Sequence, residues 1–441
     1  MRLQRQKMRF GALIGLTAFG LAACGNGGGG GGGGTGGDGT EGGGGNGAGG
    51  GSITLLHGIK GTEEQDALQQ MVDAFEKASG NTVEVEASPD FETVVVARVT
   101  GGNAPDVALY PQPGLLKRVV DADGAVAFDE AGVELGDQLV PGMAETGTFD
   151  GSTYGVVVKL NIKSLLWYAK DDFEAEGYEV PKTWDELVEL TDTISATGTP
   201  AWCIGIESDE ATGWVATDWI EDIMLRLHGA EVYDQWVAHE IPFDSPEVKA
   251  AFEEMGKIWL DEAKVLGGPT GIIQTPFGAS TAPLFDDPAG CYLHRQAGFI
   301  TGEFPDTAKV GENIEMAYLP GNDTKPVLFA GDLAAVHTDN EVAAEFIEFA
   351  VSKEGQEAWL GHEGAGALAV RKDFDASKYP NEGLAAQGEI LAGAEFARFD
   401  GSDLMPGEVG AGAFWSEVVA WVGGQDLDTT LKNIDKAWPK G

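Results

Sequence analysis

Between Ser52 and Tyr110 the hydrophobic period of the chain switches four times, and this alternation constrains the fold more than any other feature. "SITLLHG" (52–58) sets Ile53 and Leu55 two apart, the period of a strand. "TEEQDALQQMVDAFEKASG" follows, with Leu68, Met71, Val72 and Phe75 at i, i+3, i+4 and i+7. That is one helical face, with Thr62 as N-cap and Gly80 as the stop. "TVEVEA" (82–87) alternates again, "ETVVVARVTGG" reads as a helix, and "PDVALY" (105–110) reads as a short buried strand. Strand–helix–strand–helix–strand implies a parallel sheet with right-handed crossovers. Such α/β sheets receive ligands outside the carboxyl ends of their strands, here the loops 57–63 and 110–115.

The pattern continues beyond the first sheet. "YGVVVKLNIKSLLWYAKDDFEAEGYEVPKTWDELVEL" reads as strands, a helix, a turn at Pro181 and a helix capped by Thr183, with Glu186 three residues on. Residues 184–265 are mostly helical, "GCYLHRQAGFI" (290–300) reads as a buried strand, and "PVLFAGDLAAVHT" (326–338) as a pair of strands. Residues 340–360 form one helix with Val342, Phe346 and Phe349 on a face, and "FWSEVVAWVGGQDLDTTLKNIDKAWP" supplies two more. A body that fills most of 441 residues is too long for one small core, so two lobes are expected.

Ahead of the body stands a different kind of sequence. Arg2, Arg5, Lys7 and Arg9 precede the apolar run "GALIGLTAFGLAA", which is shorter than the roughly 20 residues of a membrane span. This is an export signal over residues 1–23. Leu21, Ala22, Ala23 and Cys24 resemble the lipobox of bacterial lipoproteins, which implies a diacylglycerol on the Cys24 thiol. Residues 24–51 are almost all glycine after the cysteine, a tether with maximal backbone freedom that reaches roughly 30 Å on average. The expected location is the extracellular face of the membrane, lipid-anchored through Cys24.

A net charge of −43 makes nucleic acid an improbable partner, because phosphate repels such a surface. Export places Cys203 and Cys291 in an oxidising compartment, and a disulfide between them is expected. Six scattered histidines with no HExxH or CxxC argue against a metal site, and no cofactor is implied.

From Ser52 onward the collinear order of "FEKASGNTVEVE", "GGNAPDVALY", "FIEFAVSKEGQEAWL" and "DLMPGEVGAGAFW" resembles the extracellular solute-binding proteins of ABC sugar importers, especially the maltose/alpha-glucoside group. "AWCIGIESDEATGWVATDWIEDIMLR" and "GCYLHRQAGFI" resemble a narrower subgroup that binds alpha-glucosides. The chain departs from that group in its glycine run and at Asp209 and Glu210, where smaller residues are expected. The resemblance implies a two-lobed α/β fold of the periplasmic-binding-protein type II, closing by a hinge over a central cleft. Lobe one is expected over 52–158 and 327–372, lobe two over 159–326 and 373–441, with hinge segments near 158–160, 325–327 and 372. It also implies a monomeric receptor that passes a carbohydrate to ABC permease subunits, without catalysis.

A sugar presents C–H faces to aromatic rings and hydroxyls to planar polar groups. Trp415, after the Gly-rich turn in "GAGAFW", stands where the resemblance places a stacking ring. Tyr110 and Gln112 end the strand in "ALYPQPG", and Glu63 opens the first helix at the other strand-end loop. Trp214 and Asp218 lie four apart on one helical face. Arg295 and Gln296 sit inside an apolar run, where an arginine is costly unless paired. The resemblance puts backbone approach and a carboxylate at Gly331 and Asp332, and Asp332 is a candidate partner for Arg295. Two alternatives stand beside the receptor. One is a secreted glycoside hydrolase, for which two cleft carboxylates suffice. The other is a sugar-sensing lipoprotein serving a signalling partner.

Overall fold

The computed structural model describes residues 50–140 and 142–439. The export signal, Cys24 and nearly all of the glycine tether lie outside the described residues. Among those described, no helix is long and apolar enough to cross a membrane.

The switching periods at the start of the body become β1 (Ser52–His57), α1 (Thr62–Ser79), β2 (Thr82–Ala87), α2 (Phe91–Thr100) and β3 (Val107–Tyr110). β1 pairs in parallel with β2 on one side and β3 on the other. Helix α1 buries Leu68, Met71, Val72 and Phe75 as its spacing requires. Its N-cap is Gly61, so Thr62 is the first helical residue and not the cap. Helix α3 (Pro113–Asp121) opens on Pro113, whose missing N–H costs nothing at a helix start.

Six further strands complete a six-stranded and a three-stranded sheet. β4 (Gly155–Ile162) is buried along its whole length, and β5 (Leu165–Ala169) follows it. β5 lies between β6 (His294–Arg295) and β7 (Ile314–Tyr318), antiparallel to both. β8 (Pro326–Val336) is a single eleven-residue strand where two were expected. Its pairing register shifts between Asp332 and Leu333, which is how one strand serves two regions. The second half of β8 pairs with β3, its length pairs with β4, and its first half pairs in parallel with β9 (Phe396–Phe399).

Helices complete both halves: α4 (Trp184–Ser195), α5 (Trp214–Val237) and α6 (Pro246–Trp259), then α7 (Glu341–Ala350), α8 (Lys353–Leu360) and α9 (Trp415–Val422). The Thr183 side chain accepts the Glu186 N–H at 3.2 Å, as read from the sequence. The expected single helix over 340–360 is two, because Ser352 Oγ accepts the Gly355 N–H and starts a second. The expected strand over 290–300 is only two residues long; from Gly298 to Glu303 the chain turns into a 3-10 helix instead.

Two hydrophobic cores result. Leu55, Leu68, Phe75, Val107, Phe346 and Ile347 belong to the first. Trp202, Trp219, Trp236, Phe252, Trp259 and Phe414 belong to the second. β8 contributes to both, with Val327 and Leu333 in the first and Leu328 in the second. Leu384 and Phe399, from the stretch expected in lobe two, also join the first core, as do Trp167, Ile300 and Ile314. Cys203 and Cys291 are disulfide-bonded with Cα atoms 5.6 Å apart.

Candidate functional site

Between the two cores lies a cleft of about 1080 Å³, counting the space that opens to solvent. On the first-core side it is bounded by the loop after β1, the start of α1 and Gln112 after β3. These are the carboxyl ends of the parallel strands. β4 and β8 form its back, with Lys159, Asn161, Gly331 and Asp332 exposed to it. The far wall carries Trp214, Phe277, Phe299 and Trp415.

The far wall is aromatic and tightly placed. The Trp214 ring stands 5.3 Å from Phe277 and 5.9 Å from Phe299, both centroid to centroid. The Lys163 ammonium lies 5.4 Å from the Trp214 ring centre, a cation–π distance. Gly213 sets the geometry of the two tryptophans. Its φ is 122°, and a Cβ there would lie 2.5 Å from the Trp415 carbonyl oxygen. The segment Glu408–Phe414 is π-helical and delivers Trp415 to the cleft at the start of α9. Wide turns of this kind recur at functional sites.

The back wall is polar but electrically committed. Lys159 is 2% exposed at its side chain, 3.1 Å from Asp332 and paired also with Glu64. Burial pulls its pKa down, but Asp332 and Glu64 together hold it above the ordinary lysine value. Lys163 bonds Asp218 at 2.8 Å and Asp400 at 2.5 Å. An anionic ligand would find these ammonium groups already paired.

Three buried polar atoms of the lining have no hydrogen-bond partner among the described residues: Gln112 Oε1, Asn161 Oδ1 and Trp415 Nε1. The Gln112 amide is fixed by Nε2 donating to Glu92 Oε1 at 3.1 Å. Two acceptors and one donor, facing aromatic rings, are chemically suited to a neutral polyhydroxylated molecule with an apolar face. An unpaired buried polar group costs about 1–3 kcal/mol, which a ligand hydroxyl would relieve.

Five of the ten expected contact residues line this cleft: Gln112, Trp214, Gly331, Asp332 and Trp415. The other five are placed elsewhere. Glu63 is exposed, and its neighbour Glu64 points inward. Tyr110 is fully buried, its hydroxyl 3.1 Å from His337 Nε2. Asp218 lies one helical turn beneath Trp214 and is buried in the second core's ionic network. Arg295 does not pair with Asp332. It donates to Asp222 Oδ2 from Nε at 3.0 Å and to Asp218 Oδ2 at 3.2 Å, below the cleft. Gln296 is buried, with Oε1 accepting the Ala297 N–H at 2.8 Å.

Glu64, Lys159, Asn161, Lys163, Asp400 and Asp403 line the cleft without having been expected. The signal for three of them was present. In "VVVKLNIK" the polar residues Lys159, Asn161 and Lys163 recur every second position within an apolar run, which marks one face of a strand as polar.

A family profile described as bacterial extracellular solute-binding protein matches residues 70–386. The alpha-glucosides-binding periplasmic protein AglE of Rhizobium meliloti is 41% identical over 390 residues, 85% of this chain and 84% of that one. The osmoprotective compounds-binding protein GgtB of Synechocystis sp. is 38% identical over 395 residues, 88% of this chain and 92% of that one. Among solved structures, the bacterial solute receptor AcbH superposes with a TM-score of 0.75 at 16% identity, covering 88% of this chain and 98% of that one. Maltose-bound MalE3 of T. maritima superposes with a TM-score of 0.67 at 21% identity, covering 88% of this chain and 98% of that one.

Proposed function

This chain belongs to the bacterial extracellular solute-binding proteins, and on that footing we propose that it captures a short alpha-glucoside, or an osmoprotective sugar of similar chemistry, and delivers it to an ABC importer. The observation that carries the reading is the lining of the cleft. An aromatic wall of Trp214, Phe277, Phe299 and Trp415 faces Gln112 Oε1 and Asn161 Oδ1, two buried acceptors without partners. AglE, which is named for alpha-glucosides, and GgtB, named for osmoprotective compounds, support the choice of ligand class. A family of binding proteins gives no footing to the hydrolase alternative, and the receptor is not an enzyme.

The ligand lies between Gln112, Gly331 and Asp332 on one side and Trp214 and Trp415 on the other. The lobes hinge where β4 and β8 run between the two cores. The mature protein is a monomer. Cys24 carries the lipid that anchors it outside the cell, and the glycine tether lets it reach its permease.

A thermal-shift panel of trehalose, sucrose, maltose and larger glucosides tests the reading. A true ligand at 100 times its Kd adds about 2.7 kcal/mol of stability, a plain rise in melting temperature, and calorimetry then gives Kd. A panel in which no saccharide moves the melting temperature overturns the proposal.

A further inference from the structure

The turn after Ile206 crosses the edge of the cleft and is held from the opposite side. Lys60, in the loop after β1, extends its ammonium to the second core. Nζ donates to the Ser208 carbonyl oxygen at 2.7 Å, to Ser208 Oγ at 3.2 Å and to Asp209 Oδ2 at 3.1 Å. An ammonium has three N–H donors, and here three acceptors come from one turn of the other lobe. The side chains of Lys60 and Asp209 are 24% and 59% exposed, whereas Ser208 is buried, so the contact lies between solvent and the cleft interior.

The acceptor turn is also braced by its own hydrogen bonds. Asp209 has φ 53°, a left-handed conformation that Asp tolerates better than most residues. Its N–H donates to Glu207 Oε1 at 2.9 Å, and its carbonyl accepts from Thr212 Oγ1 at 2.7 Å. Lys60 also stands between like charges. Burial raises the Glu92 carboxyl of α2, Lys60 lowers it, and Glu210 raises it from across the cleft.

We infer that Lys60 is a specificity-determining clasp: it ties the two lobes over the mouth of the cleft through Ser208 and Asp209, sets how long a sugar stays, and excludes saccharides long enough to protrude past that turn. The inference rests on the reading of the cleft as a saccharide site.

Stopped-flow tryptophan fluorescence, with Trp214 and Trp415 as reporters, gives dissociation rates for maltose, trehalose and sucrose, and binding of maltotetraose. Lys60→Met should release the bound disaccharide roughly tenfold faster, about the worth of one charge-assisted hydrogen bond. It should also gain affinity for maltotetraose relative to the disaccharide. The salt response should change sign. In the native protein added salt screens the clasp and speeds release. In Lys60→Met, Glu92 faces Glu210 across the cleft without the intervening ammonium, and salt slows release. Asp209→Asn should fall between the two. A Lys60→Met protein of intact circular dichroism, with native release rate and native salt response, overturns the clasp alone. Failure of the native protein to bind any saccharide overturns the cleft reading and the clasp with it.

Discussion

Arg295 is buried and ion-paired. An arginine in an apolar run has to be paired, and it is, with Asp222 and Asp218. Its side chain has no measurable exposure, and it lies beneath the cleft and not in it. Asp222 is bound in turn by Arg226 at 2.6 Å and Ser164 Oγ at 2.5 Å, so the group is a network whose members are hydrogen-bonded. Arg295→Met should therefore cost about 3–5 kcal/mol of stability, the penalty for breaking a buried pair from one side. Urea unfolding measures that loss. Sugar affinity of the folded protein should stay within about threefold of native, since a contact to a ligand is worth more than that. Full stability with lost affinity would return Arg295 to the binding surface. That the arginine needed partners was legible in the sequence. Which partners was not, because Asp222 and Asp332 are equally good carboxylates and only packing chooses. Glu63 failed for a smaller reason. Glu63 and Glu64 are adjacent acids in the first turn of α1, about 100° apart around the axis, and it is Glu64 that lines the cleft and pairs with Lys159.

At the scale of elements, the junction before α5 ties the site to the fold. Gly213 has φ 122°, and a Cβ would sit 2.5–2.9 Å from backbone atoms of Trp415. Gly213→Ala therefore carries two costs, a strained conformation and displacement of the ring that faces the ligand. Strain alone is worth about 1–3 kcal/mol. Gly102 has φ 72° with nothing within 4 Å, so Gly102→Ala carries the strain without the displacement. Both variants should lose stability, but only Gly213→Ala should lose sugar affinity, by at least about fivefold in calorimetry. Equal affinities in the two would detach the junction from the site. Elements with a long, clear period were legible, α1 and the three parallel strands above all. Those that failed are where a local rule met a tertiary one. β8 looked like two strands because Gly331 and Asp332 interrupt its apolar run. Gly331 is required there by close approach, a Cβ meeting the Lys159 carbonyl oxygen at 2.5 Å, and Asp332 by the Lys159 ammonium. The 290–300 segment looked like one strand because burial alone does not distinguish a strand from a packed 3-10 turn.

For the whole molecule, the two cores share a set of buried histidines. His57 and His337 lie on the first side and His294 on the second, all buried. Burial lowers each from 6.5 to about 4. It outweighs the pull of Asp332 at His57, the Cys203 carbonyl at His294 and the Gly124 carbonyl at His337. The contacts fit neutral rings. His337 Nδ1 lies 2.6 Å from the Gly124 carbonyl oxygen and donates to it, which leaves Nε2 to accept from the Tyr110 hydroxyl. A histidine whose folded pKa is depressed binds fewer protons folded than unfolded between the two values. Its contribution is thus complete above about 6.5 and is lost as pH falls toward 4. With a shift of this size each ring contributes on the order of 2–3 kcal/mol across that window. Buried carboxyls held above their ordinary values by desolvation, Asp218 at about 7 and Glu221 and Asp403 also upward, bind protons in the folded state over the same window and oppose this loss, so the histidine part is read as the difference between native protein and a histidine variant. His337→Gln, which keeps a donor and an acceptor, should be less stable at neutral pH, and its urea midpoint should gain on that of the native protein as pH falls from about 6.5 to 4. A constant difference between the two midpoints from about pH 6.5 to 4 would mean that the His337 ring takes up its proton as readily folded as unfolded.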